Sequence, residues 1–310
     1  MGASDTPLIN MVNDRTRLAG SNRMELLLFS IGGAETFGIN VFKVREVCET
    51  MPITRTPNMP RGVEGIVSLR GAILPVIHLA KCLGIGDEEA GAKLIITEFS
   101  GRTQAFLVAD VDRIVRVDWE SVRSPQSMIA SGSSRVTAIT ELPGGRLVSI
   151  LDVEQILADV MGEDPVARVE AVPEAKANRV FFADDSALAR RKIAEVLDGM
   201  GLPYQYATNG REAWDKLQSI AARCAQSGEP VTGQLGLVLV DAEMPEMDGY
   251  VLTRHIKADS RFDGLGVVMH SSLSSVANRK LGQQVGVDAY VAKFHPDELS
   301  REIAARLVAR

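Results

Sequence analysis

The chain has no basic half. Its 310 residues include 34 Lys and Arg against 40 Asp and Glu, a net charge of −6. Split before residue 178, the balance is 18 against 23 in the first part and 16 against 17 in the second. Neither part carries the cationic surface a nucleic-acid partner requires. Cysteine is scarce: Cys48, Cys82 and Cys224 are scattered without metal-ligand spacing and read as reduced, mostly buried thiols. No stretch approaches the ~18 to 20 apolar residues of a membrane span. Asp5, Asp14, Arg15 and Arg17 interrupt the start, where a signal peptide is apolar. These absences predict a cytoplasmic protein with no nucleic acid bound and no membrane insertion.

With 45% hydrophobic and 24% charged residues the composition is that of an ordinary globular protein. The length predicts two domains, each with its own core. The most informative stretch runs from Gly236 to Gly249, Gly-Leu-Val-Leu-Val-Asp-Ala-Glu-Met-Pro-Glu-Met-Asp-Gly. Leu237 to Val240 read as a strand buried on both faces that ends abruptly in Asp241. An isolated Asp there is more often a turn or cap residue. A second apolar run, Val180 to Ala183, ends in Asp184 and Asp185 before a helical stretch from Ser186 to about Met200. If the two strands are neighbours, three carboxylates converge outside the carboxyl edge of a parallel sheet, where ligands collect.

Three carboxylates within about 4 Å repel by roughly 4 kcal/mol per pair at an effective dielectric near 20. A hard divalent cation with oxygen ligands offsets that most simply. The pattern therefore predicts a Mg²⁺-assisted phosphoryl site.

The acidic pair, the Asp-x-x-Met-Pro-x-Met-Asp-Gly stretch, Ser271 ending the run Val267 to His270, and Lys293 ending Ala289 to Ala292 together resemble the receiver domain of two-component signalling. The resemblance covers residues 178–310 and implies an α/β doubly wound, flavodoxin-like domain. It implies Asp241 as phosphoacceptor, with Mg²⁺ held by Asp185, Asp241 and the Glu243 backbone carbonyl, and by Asp184 through water. Lys293 would pair with Asp241 and then with a phosphoryl oxygen. Ser271 would donate a hydroxyl to another such oxygen, and Tyr290 would turn inward as Ser271 moves. Glu243 and Ser272 occupy positions that in receivers influence hydrolysis of the acyl phosphate. Lys293 is followed by Phe294-His295-Pro296 rather than directly by proline, a departure from the family pattern. His270 lies inside a strand pattern and reads as a packed or satisfied histidine.

Helical stripes support the alternation. Leu188, Ile193 and Val196-Leu197 face inward on one helix; Trp214, Leu217, Ala221 and Cys224 follow Asn209-Gly210 on the next; Leu299, Ile303 and Leu307 mark a last helix over Pro296 to Arg310. Ser227 to Gln234 reads as a loop longer than the simplest receivers have.

Before residue 162 the chain reads as short β runs punctuated by glycine: Glu25 to Ile31, Thr36 to Asn40, Ile66 to Leu69, Ile73 to Ile77, Leu94 to Phe99, Thr103 to Ala109, Ile114 to Val117 and Arg146 to Leu151. That pattern predicts an all-β barrel or sandwich. It contains no nucleophile and base pair, no Gly-rich phosphate loop and no His/Cys cluster, so a binding module is what remains. Lys43 to Val47 and the segment Gly65 to Leu79 are similar to the CheW family of coupling proteins over residues 22–162. The resemblance implies two small β-barrels that bridge the histidine kinase CheA and methyl-accepting chemoreceptors, with Arg70, Glu46 and Val44 at the partner surface. Arg70 can also be a solvated turn residue. Arg45 and Glu46 can also be the polar face of a short helix whose apolar face is Val41, Val44 and Val47. His78 stands where the family usually carries Asp, and an exposed position or a satisfied polar contact accounts for it.

Residues 1–21 read as a polar lead and 163–177 as a linker rich in Ala, Glu and Pro. A coupling domain followed by a receiver, with no separate output domain, resembles the CheV family. The expectation is a non-enzymatic chemotaxis adaptor at receptor arrays on the inner face of the membrane, tuned by phosphorylation at Asp241. A phosphate sink for CheA is the alternative within signalling. A metal-dependent phosphohydrolase is a remote one, since that chemistry in haloacid-dehalogenase enzymes wants Asp-x-Asp after the first strand.

Overall fold

The computed structural model describes residues 23–85, 91–99, 102–123, 135–162, 179–272, 276–293 and 295–308. The chain divides into two compact units, whose described residues run over 23–162 and 179–308. The expected lead and linker, Phe294 and the end of the last helix lie outside the described residues.

The first unit uses one five-stranded plan twice. Its elements are β1 (Arg23–Ser30), β2 (Thr36–Asn40), β3 (Val44–Glu49), β4 (Val63–Leu69), β5 (Ala72–His78), α1 (Leu79–Leu83), β6 (Lys93–Phe99), β7 (Arg102–Val108), β8 (Asp110–Asp118), β9 (Val136–Leu142), β10 (Arg146–Leu151) and α2 (Val153–Met161). One sheet has the order β8-β1-β2-β10-β9 and the other β3-β6-β7-β5-β4. In each, one strand lies parallel to its neighbour, β10 on β2 and β5 on β7, and leads straight into a short helix. Each sheet is also closed by an isolated bridge from the chain beyond an edge strand. Thr54, after β3, bridges Ile66 of β4, and Arg123, after β8, bridges Ile139 of β9. Closure removes the open edges that would otherwise invite pairing with other chains.

Three apolar clusters explain why the strand runs are almost continuously hydrophobic. Leu26 and Leu28 of β1 fill one sheet's interior with Trp119, Val148 and Ile150. Leu94, Ile96, Ala105 and Leu107 fill the other's. The alternate residues, Leu27 and Phe29, Ile95, and Phe106 and Val108, meet in a third cluster shared by both sheets. A strand buried on both faces loses the polar alternation of a one-sided sheet.

Two expectations change here. Residues 44–49 are a strand, paired antiparallel with β6, rather than a helix; a 3-10 turn over Val41–Lys43, whose Phe42 N–H is capped by the Asn40 side chain, separates it from β2. Val136–Leu142 is a strand absent from the expected set. His78, which could have been exposed, is 3% exposed and stands at the N-cap of α1 without a side-chain capping bond. The equivalent residue in the second sheet, Asp152, caps α2 by accepting from Gln155 N.

The second unit is a doubly wound α/β domain. It runs β11 (Arg179–Ala183), α3 (Ala187–Met200), β12 (Tyr204–Ala207), α4 (Gly210–Ser227), α5 (Val231–Gln234), β13 (Leu235–Val240), α6 (Gly249–Ala258), β14 (Gly266–Ser271), α7 (Val276–Val285), β15 (Ala289–Ala292) and α8 (Pro296–Val308). All ladders are parallel, in the order β12-β11-β13-β14-β15. Every residue of β13 is buried, Val238 and Val240 against one helical layer and Leu237 and Leu239 against the other. The helix starts are capped by Ser186, Asn209 and Asp248, each accepting a backbone N–H at the third position. Trp214, expected in the core stripe, is only partly buried and packs between His255 and Phe262. The expected loop over 227–234 holds the short helix α5, whose Val231 is buried.

Candidate functional site

In this strand order the chain reverses direction across the sheet between β11 and β13, which opens a crevice at their carboxyl ends. Ala183 pairs with Val240, so the next residues, Asp184 and Asp241, stand side by side. Carboxylate oxygens of Asp184, Asp185 and Asp241 lie within 4.8 Å of one another. From the far strand Lys293 reaches over the sheet edge, its Nζ 2.8 Å from Asp241 Oδ2 and 3.0 Å from Asp184 Oδ2. The three interacting side chains are at most 4% exposed. Asp185 is half-buried and opens the group to solvent.

Burial pushes the Asp184 carboxyl well above its usual range; Lys293 pulls it back, while Asp241 and Asp185 push it further up. One lysine against three carboxylates leaves a surplus of negative charge. Oxygen donors only, from two adjacent strand ends with one side open to water, are the donor set of a hard divalent cation.

The loop after Asp241 is held by close backbone packing. A Cβ on Gly249 would sit 1.9 Å from the Asp241 carbonyl oxygen, and one on Gly210 would sit 2.0 Å from that of Met247. Gly249 N donates to Ala242 O, which folds the loop back onto the start of α6. Glu246 takes a positive φ of 67° at the turn. Glu243 is half-buried on the same loop.

Ser271 ends β14 fully buried, and its carbonyl accepts from Lys293 N at 3.0 Å. Ser272 and His270 are also buried. Tyr290, expected to turn inward on activation, is already turned in: its hydroxyl lies beside those of Ser271 and Tyr250. Burial raises the Tyr290 phenol to about 12, with the Ser271 and Tyr250 hydroxyls acting against that rise.

Arg190 is a participant that residue type and spacing did not disclose. Its Nη1 donates to the backbone carbonyls of both Asp184 and Asp185, at 2.9 and 2.8 Å, and so clamps the acidic pair from the first turns of α3.

In the first unit, Arg70 and Glu46 meet. Arg70 stands at a hairpin tip with φ 50°, followed by Gly71 at φ 85°, the paired positive angles of a two-residue type I′ turn. Its exposed guanidinium donates to Glu46 Oε2 at 2.7 Å. Val44 does not join them at the surface. It is 7% exposed, and β3 turns it into the shared core.

The two units match two family models: the CheW-like domain over residues 25–161 and the response regulator receiver domain over residues 180–304. The fold and site thus define a coupling domain joined to a receiver with an acidic pocket. The chemotaxis protein CheV3 of Helicobacter pylori is 30% identical over 297 residues, covering 91% of this chain and 94% of that protein. CheV2 of the same organism is 28% identical over 309 residues, covering 92% and 95%. The chain belongs to the CheV family. Among solved structures, the scaffolding protein TtCheW of Thermoanaerobacter tengcongensis is 28% identical, with a TM-score of 0.41, and matches 46% of this chain and 97% of that one.

Proposed function

We propose that this chain is a chemotaxis adaptor that couples chemoreceptors to the kinase CheA and is tuned during adaptation by phosphorylation of Asp241. The observation that carries the reading is the buried Asp241–Lys293–Asp184 contact at the sheet edge, with Asp185 open beside it.

In this reading the Asp241 carboxylate attacks the phosphorus of a phosphohistidine. The O–P bond forms as the N–P bond breaks, and the imidazole nitrogen keeps the electron pair and takes a proton from water. Lys293, already against Asp241 Oδ2, orients the carboxylate and then follows a phosphoryl oxygen. Ser271 donates its hydroxyl to another. Mg²⁺, when bound, supplies charge neutralisation for the entering phosphoryl group; Asp185, Asp241 and the Glu243 carbonyl would hold it, with Asp184 acting through water. Arg190 keeps the acidic pair's backbone in place. The receiver takes part only in its own phosphorylation and dephosphorylation, so the chain is not an enzyme toward outside substrates. Output passes to the first unit, where the Arg70–Glu46 surface contacts partners at receptor arrays. Among the described residues no helix is long and apolar enough to cross a membrane.

Shifting a two-state element from 1:99 to 99:1 takes about 5.5 kcal/mol. Charge-assisted bonds contribute roughly 1.5 to 3 kcal/mol each. Since Lys293 is already paired, only the Ser271 bond is new, and the response is graded.

The test is transfer of labelled phosphate from phospho-CheA to the wild type and to Asp241→Asn, with receptor-stimulated kinase activity followed in the same reactions. Label on the wild type alone, with a matching change in kinase activity, is expected. Label without any change in coupling would replace the adaptor by a phosphate sink, and no label at all would remove the phosphoacceptor assignment.

A further inference from the structure

Tyr290 is seated rather than merely turned inward. Gly282 of α7 makes room for the ring, since a Cβ there would lie 3.2 Å from Tyr290 Cδ2. The Arg279 guanidinium lies over the ring at 5.4 Å from its centroid, and Arg279 Nη1 donates to the Tyr290 carbonyl. Behind the ring stands Tyr250, the first-turn residue of α6, 3% exposed and packed with Ala242 and Met269 in a small cluster that Tyr290 completes. The Tyr250 hydroxyl is sealed from solvent, and the polar group it faces is the Tyr290 hydroxyl. The two stand in contact, short of a fully formed hydrogen bond.

We propose that Tyr250 is a positioning residue for the switch, its buried hydroxyl retaining Tyr290 in the inward rotamer beside Ser271 before any phosphate arrives. The proposal rests on the reading of Asp241 as phosphoacceptor only for its consequence; the rotamer bias itself belongs to the resting protein. If Tyr290 swings out, Tyr250 keeps a buried hydroxyl and loses its polar neighbour, which penalises the outward state. Ser271, Tyr290 and Tyr250 then form a line of hydroxyls from the end of β14 to α6. Phosphorylation would tighten a preset arrangement rather than create it. The first residues of α6 directly follow the loop that the Gly249 N–H ties back to the Ala242 carbonyl, so the acceptor loop and the switch share one anchor.

The chain's four tyrosines, Tyr204, Tyr206, Tyr250 and Tyr290, make the test direct. The full chain is labelled with 3-fluorotyrosine, its Tyr290 fluorine resonance is assigned with Tyr290→Phe, and the wild type is compared with Tyr250→Phe, which keeps the ring and removes only the hydroxyl. Loss of a contact weaker than one full hydrogen bond, at the low end of such contributions, predicts about a two- to threefold drop in the inward-to-outward ratio. The Tyr290 resonance should therefore move toward that of Tyr206, which is 48% exposed. Gly282→Ala, which crowds the seat without touching a hydroxyl, should move it the same way. An unmoved Tyr290 resonance in Tyr250→Phe would overturn the proposal. Parallel labelling with acetyl phosphate and Mg²⁺ keeps the two readings apart: a wild type that takes up no phosphate defeats the acceptor assignment, while the resonance comparison on unphosphorylated protein still decides Tyr250.

Discussion

Lys293→Met should destabilise the receiver strongly at neutral pH and weakly in mild acid. The Lys293 ammonium stands 2.8 Å from Asp241 and 3.0 Å from Asp184, with all three side chains nearly sealed. At an effective dielectric near 20, a 2.8 Å contact between unit charges is roughly 6 kcal/mol before repulsion and desolvation are subtracted. Removing one partner of such a buried set typically costs about 3 to 5 kcal/mol. A ceiling follows from proton uptake. Once the lysine is gone, a carboxylate it compensated can be neutralised instead, at about 1.4 kcal/mol per pH unit above an ordinary carboxylate value near 3.9. That limit is about 5 kcal/mol at pH 7.5 and about 1.5 kcal/mol at pH 5. The wild type has the same sign of dependence in smaller measure, because the folded pKa of Asp184 is raised. Between ~3.9 and that raised value the folded receiver binds one more proton than the unfolded chain, so this contribution to stability is present at the acid end and falls as pH rises. Amide hydrogen exchange in β13, referenced to intrinsic rates, reads the local stability in the full chain. A Lys293→Met loss below about 1 kcal/mol at pH 7.5, or one equal at both pH values, would refute this charge accounting.

Gly249→Ala places a Cβ 1.9 Å from the Asp241 carbonyl, so the acceptor loop must move; loss of phosphate uptake at Asp241 and a receiver destabilised by about 3 kcal/mol or more are expected from phosphate labelling and denaturant unfolding. Arg190→Ala frees the carbonyls of Asp184 and Asp185, and titration calorimetry should show Mg²⁺ affinity weakened several-fold, with Arg190→Lys intermediate because a lysine cannot reproduce the planar donor group. Asp152→Ala removes the cap of α2 and should cost about 1 kcal/mol in the first unit, read from exchange of the α2 amides; an unchanged rate would show that packing alone holds that helix.

Much of this was legible because the signals were local. Strands β2, β10 and β15 fall on their expected residues, each an apolar run with a turn or cap beside it. The three carboxylates could be gathered on paper because each ends a strand, and the observed register sets Asp184 beside Asp241. β3 was misread since Val41, Val44 and Val47 sit three apart, a helical spacing. The edge position of β3 leaves its other residues only partly buried, so no strict alternation was imposed on them. Val44 was placed at the partner surface by the family resemblance, whereas its apolar side chain belongs to the shared core. Arg190 was illegible for a different reason: its targets are backbone carbonyls, which carry no residue identity, and an arginine one turn into a helix looks like part of a solvated face. Tyr250 was passed over because a lone aromatic beside Gly249 is indistinguishable from core until Tyr290 is seen to face it.

The doubled plan of the first unit gives the molecule an internal control. Ile73 and Leu147 follow equivalent hairpin tips and are 70% and 62% exposed, and His78 and Asp152 open equivalent helices. Swapping a residue between such a pair changes its neighbours while leaving strand order and chain direction the same. The difference between the two replicas therefore separates what a β-hairpin and its helix demand anywhere from what one location along this polypeptide adds.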